Sequence, residues 1–378
     1  ADASQFQQIK EDAKAADCFA WYDPLQPNEV SSVLDLQPPA DADAAFQRAD
    51  YPPQLLTPFQ SSGALYGLPY MVTFRVLIYN QTLFDNAGLH IPDESWSPDE
   101  FLAAAQKLTN KEKGDYGFAS VRNMRDDLLF FLDQFGAQVV QNSGGLPQPN
   151  FTDPEVVQAG HFFVDLLRNT SPHQHMESYS TDSQTTQVGS QSALQGHVAR
   201  WFDFGSLGSR FYNTAGLNTH TASPPFGAHG ISPHDVELNG LYISATTPHP
   251  EACWTWLNYL SKDVRSFDGT FPARSSVANS EAFAQISSPD MASVHRSYRE
   301  KLAASPPNGA NASFWNSGIE FYWFYQAIDR ALGGEPLEQA LAVAQQRTRD
   351  HLACVRSGGK PRACALDVDP SYKGFLGD

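Results

Sequence analysis

Charge is scarce in this 378-residue chain and mostly of one sign: charged residues make up 18%, and 42 Asp and Glu against 25 Lys and Arg leave a net charge of −17. Such an acidic surface, with pI near 4.9, repels phosphate backbones and anionic headgroups, so no nucleic-acid partner is expected. Long apolar runs are missing too. The longest, Met71 to Tyr79, is interrupted by Arg75 and falls short of the roughly 20 residues of a membrane-spanning helix. No secretory signal opens the chain at Ala1-Asp2-Ala3-Ser4, so any leader is taken as removed and the compartment has to be read from other features. The sequence also lacks a G-x-S-x-G elbow, a G-x-x-x-x-G-K-[ST] phosphate loop, H-E-x-x-H, cysteine pairs at zinc spacing and tandem repeats, which removes the commonly recognised hydrolase, nucleotide and zinc signatures.

What is present is apolar and aromatic material: 41% hydrophobic residues, with Phe 25, Tyr 14 and Trp 7. A chain this long exceeds what one core usually supports, which predicts two lobes and a cleft between them. Helix starts are legible. Ser97-Pro98-Asp99-Glu100 supplies an N-cap, a proline at the first helical position and a capping-box glutamate, predicting a helix over 98–109. Asp153-Pro154-Glu155 and His249-Pro250-Glu251 repeat the device, and Ile319 to Leu332 stops at Gly333-Gly334 before Pro336 opens another amphipathic run. Strands are expected at Cys18 to Tyr22, Val76 to Tyr79, Tyr116 to Val121, Ala193 to Ala199 and Gly240 to Ala245. Alternating helices and strands give an α/β class.

Four cysteines are an even number. Cys354 and Cys364 flank Ser357-Gly358-Gly359-Lys360-Pro361, a turn-rich segment that lets the chain double back, so a disulfide is expected there. Cys18 and Cys253 either form a second bridge or remain separate buried thiols. Oxidised cysteines favour an export compartment. His173-x-His175 could hold a divalent metal, but the plainer reading is a solvated loop, and no metal or cofactor is expected. Acidic residues are numerous enough to offer many carboxylate pairs, none fixed in space by the sequence.

The stretch Gly63-Ala64-Leu65-Tyr66-Gly67-Leu68-Pro69-Tyr70, followed by Val76 to Leu89, Trp96 and the capped helix to Thr109, resembles extracellular solute-binding proteins of the carbohydrate-binding family that includes maltose-binding protein. Further matches follow in family order: Gly189 to Leu194 before Trp201, Asn239 to Ile243, Phe271-Pro272-Ala273-Arg274, and the terminal helices from Ile319 to Arg347. The resemblance implies a two-lobed periplasmic-binding-protein-like fold of type II, with hinged lobes around a central cleft and the N-terminal part of the first lobe incomplete. The implied division is 1–73 for the first part of lobe 1, 74–237 for the main part of lobe 2 and 238–308 for the return to lobe 1. Terminal helices over 309–350 would pack on lobe 2, and 351–378 would be a tail carrying the disulfide. The implied function is capture of a carbohydrate, an oligosaccharide by preference, through hinge closure, with delivery to the membrane permease of an ABC importer. The protein would then be extracytoplasmic, monomeric and not an enzyme. The competing readings are a binder of a non-sugar solute, a glycan-acting enzyme with paired carboxylates, and an interaction module.

Ligands of open α/β sheets gather beyond the carboxyl ends of strands, which selects the candidates. Trp21, Tyr22 and Asp23 end the first strand. Tyr70, Thr73 and Phe74 fall at the first crossing between lobes, and Arg122 and Asn123 follow the Tyr116 strand. Trp201 and Asp203 follow the Ala193 strand, where the family often places a stacking aromatic, and Trp315 and Tyr322 lie near the last crossing. Rings suit the C–H faces of a sugar, while Asp, Asn and Arg suit its rim of hydroxyls. Each also has a plainer role in packing or capping. Trp254 and Trp256 face two directions on one helix and are read as core and surface.

Overall fold

The computed structural model describes residues 3–22, 24–26, 28–91, 96–181, 187–205, 207–226, 231, 235–267, 270–304 and 317–376. The chain forms two compact units. The first joins Ala1–Phe74 to Val236–Arg296, and the second joins Arg75–Asp235 to Ser297–Asp378. The chain thus leaves the first unit within the strand Leu68–Asn80 and returns beside Asp235. The sequence reading carried the first lobe on to 308, whereas the first unit ends at Arg296, inside the helix Pro289–Ala304. Within the second unit, Tyr298 donates its hydroxyl to the carbonyl oxygen of Arg75 at 2.6 Å.

In the first unit, Leu68 to Phe74 pairs antiparallel with the strand Val236–Ile243, which pairs on its other side with Cys18–Trp21. Phe271–Pro272 adds a short edge against Met71 and Val72. Phe59 and Tyr242 pack over this sheet with ring centroids 6.2 Å apart. Cys18 and Cys253 are bridged, with Cα atoms 5.6 Å apart, tying the first strand to the helix Pro250–Leu260. On that helix Trp254 is buried and donates to Asp43 at 3.0 Å, while Trp256 is exposed, which matches the division expected of them.

In the second unit, Arg75 to Tyr79 pairs with the strand Arg200–Phe204, and Leu77 to Asn80 with Thr219–Ala222. The helices Pro98–Leu108, Met124–Gln134 and Pro154–Thr170 pack against a core of phenylalanines, among them Phe101, Phe118, Phe130, Phe131, Phe162 and Phe202. The expected capping box is present: Glu100 N–H donates to the Ser97 hydroxyl, and Ser97 N–H to the Glu100 carboxylate. Gln81–Ala87 ends at Gly88, whose φ of 64° places it in the left-handed region, where glycine carries no Cβ penalty. The helices Tyr322–Leu332 and Leu337–Arg356 close the unit. The bridge Cys354–Cys364, Cα atoms 5.7 Å apart, then folds Pro361–Val368 back on them.

Two strand expectations are corrected. Tyr116 to Val121 forms no ladder: it makes one parallel bridge, Tyr116 to Val198, although Ala119 N–H also reaches Arg200 O at 3.1 Å. The segment 193–199 is not a strand either. Val188–Leu194 is helical, Gly196 turns the chain at φ 81°, and the strand begins only at Arg200.

Candidate functional site

Each unit presents its own candidate face. In the first, Trp21 pairs with Gly240 at the end of its strand, and its ring is buried. Tyr22 stacks on that ring with centroids 4.4 Å apart and planes at 27°, and is 54% exposed. The aromatic surface offered to solvent is therefore that of Tyr22, with Trp21 as its backing. Tyr70 is buried against Phe267 at 5.3 Å, and that burial raises its phenol pKa. Phe74 packs on Phe271 at 5.2 Å and is buried. Thr73 is half-buried and pairs with Glu237. Asp23 lies outside the described residues.

In the second unit, the helix Met124–Gln134 is capped by Asn123, whose side-chain oxygen accepts from Arg125 N–H at 3.1 Å. Asn123 thus fixes the direction of the helix, the role a residue with a short amide side chain plays before a helical first turn. Next to it Arg122 donates to Asp203 at 2.6 Å, and Asp203 also accepts its neighbour's Phe204 N–H at 2.8 Å. Arg122 is exposed while Asp203 is largely covered. Tyr212 stands nearby, its pKa pushed up to about 12 by burial and by the charge of Asp203.

Trp201 is a correction. It sits inside the strand, not after it, in register with Ile78, with no exposed surface and with its ring edge on Tyr212 at 4.7 Å. The helix that replaced the expected strand moved the register, so the tryptophan became core and Asp203 took the position towards the strand's end.

Behind this face lies a buried polar cluster that the sequence reading missed. Arg75 donates through Nε to Asp235 at 2.9 Å and through Nη1 to Asp127 at 3.1 Å, and its guanidinium lies 5.0 Å from the Phe204 ring centroid. Burial, with Asp126 alongside, pushes the Asp127 carboxyl up to about 6 against the pull of Arg75. Two buried polar atoms around the start of the helix, Arg125 Nε and Tyr325 Oη, have no hydrogen-bond partner among the described residues, while the Ser120 hydroxyl lies beside Asp127 and helps hold its charge. Tyr325 is raised by burial, with Arg125 the nearest opposing charge. The only sequence signal for this cluster was an arginine in the middle of an apolar run.

Tyr322 is brought to neither group. It is buried among Tyr179 and Tyr372, at 5.7 and 4.7 Å, on a different wall of the second unit. Trp315 lies outside the described residues. The histidine pair divides: His173 is buried, with Nε2 2.9 Å from Ser120 O and Nδ1 3.0 Å from Glu177, whereas His175 is exposed. The solvated-loop reading therefore fails for His173. Among the described residues no group of three or more His, Cys, Asp or Glu side chains is placed to hold a metal ion, and no helix is long and apolar enough to cross a membrane.

Two solved structures share this architecture. The sugar-binding protein MalE from the phytopathogen Xanthomonas citri superposes with a TM-score of 0.65 at 18% identity, covering 94% of this chain and 88% of its own. An ABC substrate-binding protein from Listeria monocytogenes in complex with cycloalternan superposes with a TM-score of 0.60 at 18% identity, covering 95% and 90%. At these identities the likeness establishes the two-lobed periplasmic-binding fold. A Brucella abortus (strain 2308) protein named "putative binding protein" is 22% identical over 216 residues, 56% of this chain. The match spans about half the length of that curated relative, 50%. The family described as bacterial extracellular solute-binding protein matches residues 2–263, more than half of the sequence, and the chain belongs to it.

Proposed function

We propose that this chain captures a neutral carbohydrate by hinge closure of its two units and hands it, unaltered, to the permease of an ABC importer outside the cytoplasm. The observation that carries the reading is the pair of buried atoms without partners among the described residues at the start of the helix Met124–Gln134, Arg125 Nε and Tyr325 Oη, beside the Arg122–Asp203 pair. Buried polar groups are rarely left without partners, and a hydroxyl both donates and accepts, so a polyhydroxylated solute satisfies a mixed set of donors and acceptors without carrying charge. Tyr22, exposed and backed by Trp21, supplies a ring for a sugar face in the other unit. Sugar-bound and sugar-binding relatives of the same fold support the ligand class. The extracytoplasmic location rests on family membership, and the permease on ABC substrate-binding proteins of the same fold; the chain acts as a monomer in this reading. No cofactor enters the mechanism: a ligand that binds the closed form better shifts the population towards it.

The test is a thermal-shift panel of mono- and oligosaccharides, with amino acids and phosphorylated polyols as controls. At least one neutral sugar is expected to raise Tm. Arg122→Ala and Tyr325→Phe each weaken that sugar's Kd by about tenfold or more, the order of a lost hydrogen bond to a charged or buried group. Trp201→Ala instead lowers stability without ligand by roughly 3–5 kcal/mol, the cost of an emptied aromatic site, and Tm falls with it. A panel in which only charged solutes stabilise, or in which sugars are converted to products, overturns the reading.

A further inference from the structure

A cavity of about 800 Å³ lies wholly within the second unit and shares no lining residue with the Arg122–Asp203 face. Its volume is in the range of small-molecule sites. The sequence features that the first site did not absorb, Tyr322 and the His173-x-His175 motif, line it. Four segments build the wall: the loop from Pro172 to Ser180, Val188 at the start of the helix Val188–Leu194, one face of the helix Tyr322–Leu332, and the tail at Ser371 and Lys373. Tyr322, Gln326 and Asp329 are spaced by four and three residues, which places them in one row along the helix.

The wall is held in place before any ligand arrives. Asp329 accepts from Met176 N–H at 2.8 Å and from the Tyr179 hydroxyl at 3.0 Å. Gln326 donates to the Tyr322 hydroxyl at 3.1 Å, and Thr181 N–H donates to Lys373 O at 2.7 Å, pinning the tail to the loop. Tyr372 packs beneath Tyr322, and Asp369 is anchored by Trp323 Nε1 at 3.0 Å and by Arg347 at 2.8 Å. Glycine is required at 189 for the neighbouring helix to close on this loop, because a Cβ there would lie 2.0 Å from Ser120 O and 2.8 Å from His173 Nε2. A preformed wall spares the ordering cost of binding.

Its chemistry points to an uncharged ligand. Each carboxylate in the lining is engaged within the wall, Asp329 as above and Glu177 with His173. Lys373 and His175 also line it, and the rest of the polar lining is amide and hydroxyl, from Gln174, Gln326, Ser180, Ser371 and the two tyrosines, groups that both donate and accept and several of which are already bonded within the wall. The rings of Tyr179 and Tyr322, centroids 5.7 Å apart and tilted by 39°, offer an aromatic surface beside those groups. We propose that this cavity is a second binding site, for a small sugar or polyol, separate from the site of capture. The assignment rests on the cavity's own lining and stands or falls apart from the capture reading.

The experiment is calorimetric titration of the full chain with maltose and with D-mannitol, read for the number and strength of binding phases. Gln174→Trp puts an indole into the cavity at an exposed position, and Tyr179→Ala removes one ring. The wild type is expected to show a weak phase with at least one of the two probes, weakened tenfold or more by Gln174→Trp and by Tyr179→Ala but untouched by Arg122→Ala. A phase lost in Arg122→Ala and intact in both cavity variants belongs to the first site and overturns the proposal. So does the absence of a weak phase with both probes. If Tyr179→Ala fails to fold, Gln174→Trp decides alone.

Discussion

Asp127 and Asp235 share one guanidinium, that of Arg75, in a site closed to water. One cation serving two buried carboxylates leaves an excess negative charge, which fits the direction of the Asp127 shift: burial raises it to about 6. The folded carboxyl therefore binds its proton over a pH range in which the unfolded one, near 3.8, has lost it. Across the window from about 4 to about 6 the native state binds more protons, so this group's contribution to stability falls as pH rises and is at its least favourable above 6. Asp127→Asn has no such proton to lose. Its stability relative to the wild type should rise by up to about 3 kcal/mol between pH 4 and pH 7.5, taking 1.36 kcal/mol per unit, when both are unfolded in urea at each pH. A wild-type-minus-variant difference that stays flat across that range would show that Arg75 keeps Asp127 ionised throughout.

Helices with prolines and capping residues at their starts were legible in the sequence because caps act locally: Ser97 and Asp153 each accept the backbone N–H that the pattern requires, whereas His249 precedes the expected helix Pro250–Leu260 without a side-chain cap. The strand expected at 193–199 was not, because a short apolar run fits a buried helix turn as well as a strand, and only the turn at Gly196 and pairing with Arg75 to Tyr79 decide between them. That one misplacement carried Trp201 into the candidate site. Arg75 and Tyr325 were missed for a related reason: they read as core residues, and their partners are distant in the chain. The two bridges show the same contrast between local and distant. Cys354 and Cys364 are separated by 10 positions, Cys18 and Cys253 by 235. The chain-entropy description, which is model-dependent, puts a loop of the first size at roughly 3 kcal/mol and the second at roughly 5. Paired Cys→Ala variants should therefore lose more stability at Cys18 and Cys253 than at Cys354 and Cys364 in denaturant titrations. Equal losses, or the reverse order, would mean that native packing around the bridges, not the length of chain they close, sets their contribution.

Two units with separate cores give the capture reading its sharpest test, because a ligand stabilises only what it touches or orders. A sugar held by the Arg122–Asp203 face alone would protect the second unit and leave the first as it was. Capture by closure requires groups from both, Tyr22 and its Trp21 backing as well as Arg122, Asp203 and Tyr325, so both units should gain. At a free ligand concentration about 100 times Kd the gain is about 2.7 kcal/mol, well within what amide hydrogen exchange resolves. With the sugar that emerges from the thermal-shift panel, protection is expected to rise both in Cys18–Trp21 and Val236–Ile243 of the first unit and in Met124–Gln134 and Arg200–Phe204 of the second. The same sample, chromatographed after incubation, should return the sugar at its original size and amount. Protection confined to the second unit would leave a one-lobed binder and remove closure from the mechanism. Recovery of shortened sugar would replace transport with hydrolysis, whatever the pattern of protection.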